Sequence, residues 1–176
     1  AFTMGAATSF CLLPAADTGI VVLTNALPVG AAEALCLTYI DLVQYGQVDR
    51  DWLDFLEPLF VAMIAPVGEQ AGKPFPTRPD AALPLKVYTG TYANEYLGAV
   101  EISQRDEQLT LSMPPHGQLF PLLHWSGNTF VFEPGGEMAT PGSRSMVSFR
   151  AGQDGGIQSV DIEYYAEEGV GLLVRQ

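Results

Sequence analysis

Positive charge is what this sequence has least of. Eight Lys and Arg residues face twenty Asp and Glu, for a formal charge of −12, and Lys73 and Lys86 are its only lysines. Residues 1–70 carry eight acids and one base, and the remainder twelve and seven. Neither half offers a basic stripe that would displace counterions from a phosphate backbone, which argues against nucleic acid and anionic membrane as partners. Histidine is as rare, with only His116 and His124. Cys11 and Cys36 are the only cysteines and stand at neither metal nor redox spacing. They read as buried thiols acting as small apolar residues, or as one disulfide. No apolar run approaches the length of a membrane span. The opening "AFTMGAATSF" lacks an initiator Met and a charged leader region, and so reads as the middle of something longer.

Chemistry-bearing motifs are missing too. There is no Gly-x-Ser-x-Gly, His-Glu-x-x-His or Cys-x-x-Cys, and the glycines form no phosphate-cradling loop. No cofactor and no metal site is expected. Asp161, Glu163, Glu167 and Glu168 gather near the C-terminus. Strand alternation puts Asp161 and Glu163 on one face, where a metal or an acid/base pair competes with a plain solvated surface. The solvated surface is favoured, since neither histidine nor a calcium loop lies nearby.

What is present is apolar: 48% of the residues are hydrophobic. "AATSFCLLP" (6–14) has strand composition, and "TGIVVLTN" (18–25) is a β-branched run with little alternation, predicting a strand covered on both faces. The two are close enough for an antiparallel hairpin. Helical spacing of Ala32, Leu35, Cys36, Tyr39, Leu42 and Val43 predicts a helix over 29–45, closed by Gly46. A second helix begins near Asp49 or Asp51 and carries Trp52, Phe55, Leu56, Leu59, Phe60 and Met63, with Pro58 predicted to kink or restart it. Residues 65–84 then hold five prolines and two glycines without apolar periodicity, and read as an interdomain linker.

Everything after that reads as strand: 88–93, 97–103, 107–113, 118–124, 128–133, 145–150, 157–164 and 169–175, separated by turn signals such as "PPHG" and "PGGE". Eight short strands at regular spacing predict an up-and-down antiparallel barrel or a sandwich, and closure favours the barrel because it removes edges. The fold class is therefore mainly β with an α+β N-terminal segment. Boundaries fall at 1–66, a linker at 67–82, and the barrel at 83–176. Tyr92, Tyr96, Trp125 and Phe130 are candidate lining residues for a ligand, with core packing the competing and favoured reading. His116 lies in a turn and reads as solvated. His124 sits at a strand end, as a hydrogen-bonded rim residue or a ligand contact.

Two blocks of residues carry a family resemblance. "GIVVLTNA" followed by "ALPVGAAEAL", "DLVQYG" and "DWL" resembles the C-terminal end of serine hydrolases with the β-lactamase/transpeptidase fold, in the class C β-lactamase-like branch that includes esterases and D-amino-acid peptidases. "LPLKVYTGTYANEYLGAVEI", "LLHWSGNTFVFEP" and "IEYYAEEGVGLLVR" resemble the lipocalin-like domain of unknown function that trails such hydrolases. The resemblance implies an eight-stranded lipocalin-like barrel preceded by a two-strand, two-helix remnant of the catalytic domain. It also implies that Ser-x-x-Lys, Tyr-x-Asn and Lys/His-x-Gly lie upstream of residue 1.

None of these motifs stands in this chain in the right place. Gln70 and Leu83 occupy the positions where Lys73 and Lys86 would each need a serine. Tyr92-Ala93-Asn94 spells Tyr-x-Asn but falls inside the trailing block. The expected role is thus non-catalytic: an accessory barrel that in a parent serine hydrolase would modulate substrate access or assembly. Two alternatives are half of a hydrolase completed by a separate Ser-x-x-Lys chain, and a stand-alone barrel for a small apolar ligand. The expected partner is the parent's catalytic domain or a second copy of the chain, met through residues 6–25. The compartment stays open, a periplasmic or secreted parent being one reading.

Overall fold

A computed structural model describes residues 1–153, 155–166 and 168–176. It divides into two compact units, Ala1–Ala65 with Gly136–Thr140, and Pro66–Gly135 with Pro141–Gln176.

The first unit begins with β1 (Phe2–Thr3), β2 (Ala6–Leu13) and β3 (Thr18–Thr24), an antiparallel sheet in that order. Phe10 stands opposite Val21, and Cys11 opposite Ile20. Two helices follow, α1 (Ala31–Tyr45) and α2 (Trp52–Met63). Gly30 opens α1 at φ +82°, where a side chain would also press on Leu56 and Phe60 of α2. Gly46 closes it in the left-handed region, its N–H donating to the Leu42 carbonyl. Asp51 is the N-cap of α2, its carboxylate accepting from the amides of Leu53 and Asp54 at 3.0 and 3.1 Å. The buried Asp41 ties the connection together, since its Oδ2 accepts from the Asp49 amide at 3.1 Å and Trp52 Nε1 at 2.8 Å.

Pro58 does not restart α2, and the helix runs continuously through it to Met63. Pro58 and Asp54 are both exposed, so the Asp54 carbonyl that the proline leaves without a donor stays open to water.

Coverage of this sheet differs from expectation. Helix α1 packs on one face of β2 and β3, where Thr18 Oγ1 hydrogen-bonds Tyr39 Oη. On the other face Phe10, Leu12, Val21 and Leu23 are 67–73% exposed. An apolar run signals two buried faces but not which chain supplies the second cover. The fully buried side chains here are small, Ala7, Ala32, Ala34 and Cys36, while large ones such as Leu35, Phe55, Leu59 and Val61 are exposed.

The second unit is a closed eight-stranded antiparallel barrel: β4 (Gly90–Asn94), β5 (Gly98–Arg105), β6 (Gln108–Met113), β7 (Gln118–Ser126), β8 (Thr129–Phe132), β9 (Ser145–Ala151), β10 (Ile157–Ile162) and β11 (Leu172–Arg175). Each strand pairs with the next, and β11 closes on β4 through Val174 opposite Ala93. Alternation drives this architecture. Leu109, Leu111 and Met113 point inward from β6, as do Val100 and Ile102 from β5, while their neighbours face out. The strand expected to reach residue 164 stops at Ile162, and Glu163–Tyr165 turn into a 3₁₀ helix.

The proline-rich stretch belongs to this second unit and is held along its length. The Val67 amide donates to Ser143 Oγ (3.0 Å), and the Val67 carbonyl accepts from the Arg144 amide (3.0 Å). Glu163 accepts from the Glu69 amide at 2.6 Å through one oxygen, and from the Met146 amide at 2.8 Å through the other. Arg144 donates to the carbonyls of Gln70 and Lys73 and lies 4.8 Å over the Phe75 ring. Further on, the Asp80 amide donates to Ser126 Oγ, and the Asp80 carbonyl accepts from Gly127. These residues form a strap on the barrel's outer wall. Val131, on the outward face of β8, is consequently fully buried beside Met146, whose sulfur accepts from Gln70.

Candidate functional site

Two places concentrate the features a functional site would use: the aromatic interior of the barrel and the open sheet face of the first unit.

The interior is built from Tyr88, Tyr92, Phe130 and Phe149. Tyr92 and Phe130 project inward from β4 and β8 and are almost fully buried. Tyr88 Oη donates to Asn128 Oδ1 at 2.6 Å and accepts from the Leu83 amide at 2.9 Å. Tyr92 Oη donates to the Tyr88 carbonyl at 2.7 Å. Ring centroids lie 5.2 Å apart for Tyr88 and Phe130, 4.8 Å for Tyr88 and Phe149, and 6.0 Å for Tyr92 and Phe149. Burial pushes both tyrosine hydroxyls above their ordinary range, Tyr92 against a smaller opposing pull from Arg175. That arginine lies 5.8 Å over the Tyr92 ring and donates to the carbonyls of Val87, Thr89 and Ile157, closing one end of the barrel. Farther along, the rings of Phe120 and Phe132 meet at a tilt, centroids 4.9 Å apart. This is a packed core, with every polar atom of Tyr88 and Tyr92 spent on the protein itself.

The remaining candidates separate. His124 is half-buried at the end of β7, its Nε2 within hydrogen-bonding distance (3.0 Å) of the Gly127 carbonyl and its ring 5.2 Å from Phe130. Trp125 meets Phe75 of the strap at 5.1 Å. Tyr96 lies in the β4–β5 turn and is 73% exposed. Asp161 pairs with Arg150 at 3.0 Å, whereas Glu163 is engaged with the strap, so the two carboxylates do different work. Glu168 is exposed, and Glu167 lies outside the described residues. His116 is exposed in the turn before β7.

Sequence reasoning did not single out Tyr88, Phe149, Arg144 or Arg175 as a group. Inward alternation marks Phe149 as core, but nothing local shows that Arg175 caps three carbonyls far away in the chain, those of Val87 and Thr89 just before β4 and of Ile157 on β10. Outside the barrel, a shallow groove of about 490 Å³ runs between Lys86, Thr91, Glu101 and Ser103. It is wide open to solvent and so encloses a ligand poorly.

The geometry therefore defines a small up-and-down barrel with an interior of packed aromatic and aliphatic side chains and an external strap. The chain belongs to the DUF3471 family of domains of unknown function, whose pattern matches residues 76–171. It is also similar to the C-terminal domain of the penicillin-binding protein Rv0907, a solved structure. Identity is 38%, the match covers 61% of this chain and 100% of that one, and the TM-score is 0.53. No curated protein matches the chain.

Proposed function

We propose that this chain is the C-terminal, non-catalytic part of a β-lactamase-like serine hydrolase of the esterase or peptidase class, whose barrel modulates substrate access or assembly. The observation that carries the reading is that 61% of this chain matches the whole of a domain described as the C-terminal domain of a penicillin-binding protein. The first unit supports it. A segment that folded around its own core would bury its largest apolar side chains. Here alanines and a cysteine are buried while Phe10, Leu12, Val21 and Leu23 face outward. On this reading β2, β3 and the two helices complete the sheet and helix layer of the catalytic domain, which covers that face.

The chemistry agrees. A serine nucleophile of this kind needs a base close by, and neither lysine has a serine three residues before it. The open face equally suits a second reading, in which a separate Ser-x-x-Lys chain completes the enzyme. The filled interior counts against a stand-alone barrel for an apolar ligand.

The test exposes the purified 176-residue chain to a fluorophosphonate probe, nitrocefin and a p-nitrophenyl ester. Neither labelling nor turnover is expected. A serine of this chain that reacts with the probe overturns the proposal. Intact mass spectrometry of natively purified material separates the two readings, because a second, larger polypeptide bearing Ser-x-x-Lys marks the completed enzyme.

A further inference from the structure

The two cysteines stand on different layers of the first unit and meet. Cys11 projects from β2 toward α1, and its Sγ donates to the Cys36 carbonyl at 3.8 Å. Both are free thiols here, Cys36 buried and Cys11 half-exposed. The pair is asymmetric, one sulfur reachable from solvent and the other shielded behind it.

We propose that Cys11 and Cys36 form a reversible disulfide that staples α1 onto the sheet when a small disulfide oxidant is supplied. The Cys11 thiolate attacks one sulfur of the oxidant, forming a mixed disulfide and expelling the first small thiolate. The Cys36 thiolate then attacks the Cys11 sulfur, the mixed S–S bond breaks, and the second small thiolate leaves. Two cysteine thiols are oxidised, one oxidant disulfide is reduced to two thiols, and the protons pass to the leaving thiolates.

Burial and the neighbouring Cys36 hold the Cys11 thiol above its ordinary range, so the first step is slow at neutral pH and accelerates as pH rises. The bond encloses β3 and the start of α1. It joins two layers whose shared core consists mainly of small side chains, where a covalent tie has most to add.

The experiment incubates the whole chain in native buffer with oxidised glutathione, then traps residual thiols with N-ethylmaleimide. Wild type is expected to lose about 2 Da, take up no maleimide, and yield one linked Cys11–Cys36 peptide without reduction. Cys36→Ser is expected to stop at a glutathione adduct on Cys11, and Cys11→Ser to react several-fold more slowly. Oxidised wild type is expected to melt several degrees above the reduced form, a shift absent in both variants. Retention of two alkylatable thiols, a Cys11 adduct that never closes in wild type, or cross-links only between copies would each overturn the proposal.

Discussion

Gly68 and Arg144 approach so closely that a β-carbon on the glycine would stand 1.7 Å from the arginine's carbonyl oxygen. Gly68 also sits at φ +103°, a conformation other residues rarely adopt. Steric and backbone demands coincide here, where the strap turns onto the barrel. Gly68→Ala is therefore expected to lift the strap and cost on the order of 3 kcal/mol. In a Trp52→Phe background the sole remaining tryptophan is Trp125, which rests against Phe75. Its emission should shift red in the variant, and urea titration should give the stability loss. Unchanged emission would mean that the strap holds without this turn.

Glu163 acts as a clasp with two oxygens and two amides. Glu163→Gln keeps one acceptor and replaces the other with a donor, so one of the Glu69 and Met146 amides loses its partner. The expected cost is about 1–3 kcal/mol. Faster hydrogen exchange at one of those two amides, with every other amide of the barrel strands unaffected, is the signature. Equal acceleration throughout the barrel would instead indicate global loosening.

Alkaline pH should loosen the barrel before it disturbs anything acidic. Burial raises the hydroxyls of Tyr88, Tyr92, Tyr164 and Tyr165 above their unfolded value of about 10. The unfolded chain then releases protons that the folded barrel still holds, so stability falls as pH climbs past about 10 toward the folded values. Below that window the contribution is fully present. Thermal midpoints from pH 8 to 11.5 should fall most steeply at the upper end, after a smaller loss from the raised Cys11 thiol, and Tyr92→Phe should flatten the steep part. A flat profile for wild type would contradict the assignment.

On the open sheet face, Leu23→Ser should weaken whatever association the chain shows. Burying such a side chain is worth about 1.5–3 kcal/mol, so the dissociation constant should rise roughly tenfold or more. Sedimentation across a concentration series measures this, with exposed Leu119 on the barrel as the control position. Equal effects at both sites would show the sheet face to be no special surface.

The barrel was legible in the sequence because its strands announce themselves locally. Leu109, Leu111 and Met113 alternate with polar residues, and Gly and Pro clusters mark the turns, so each of the eight strands overlaps its expected range, although β10 stops at Ile162 and β11 begins only at Leu172. The strap was not, because its bonds run from backbone amides to side chains far away in the chain. Glu69 meets Glu163 across 94 residues and Val67 meets Ser143 across 76, and no periodicity encodes such pairs. Strand β1, two residues long, is too short for any pattern. The composition of "TGIVVLTN" signalled burial on two sides, yet among the described residues α1 covers one face and Val21 and Leu23 stay exposed on the other. Among the candidate residues, inward alternation found Phe130, while the exposure of Tyr96 follows from its place in a turn rather than on a strand.

Because the last barrel strand closes on the first, the described residues of that unit leave no row of unused strand amides for another chain to read. The front sheet differs: among the described residues nothing is bonded along the far side of Thr18–Thr24. Any runaway polymer of this protein should therefore grow from its head, recruiting one hairpin after another and leaving each barrel intact as a pendant bead.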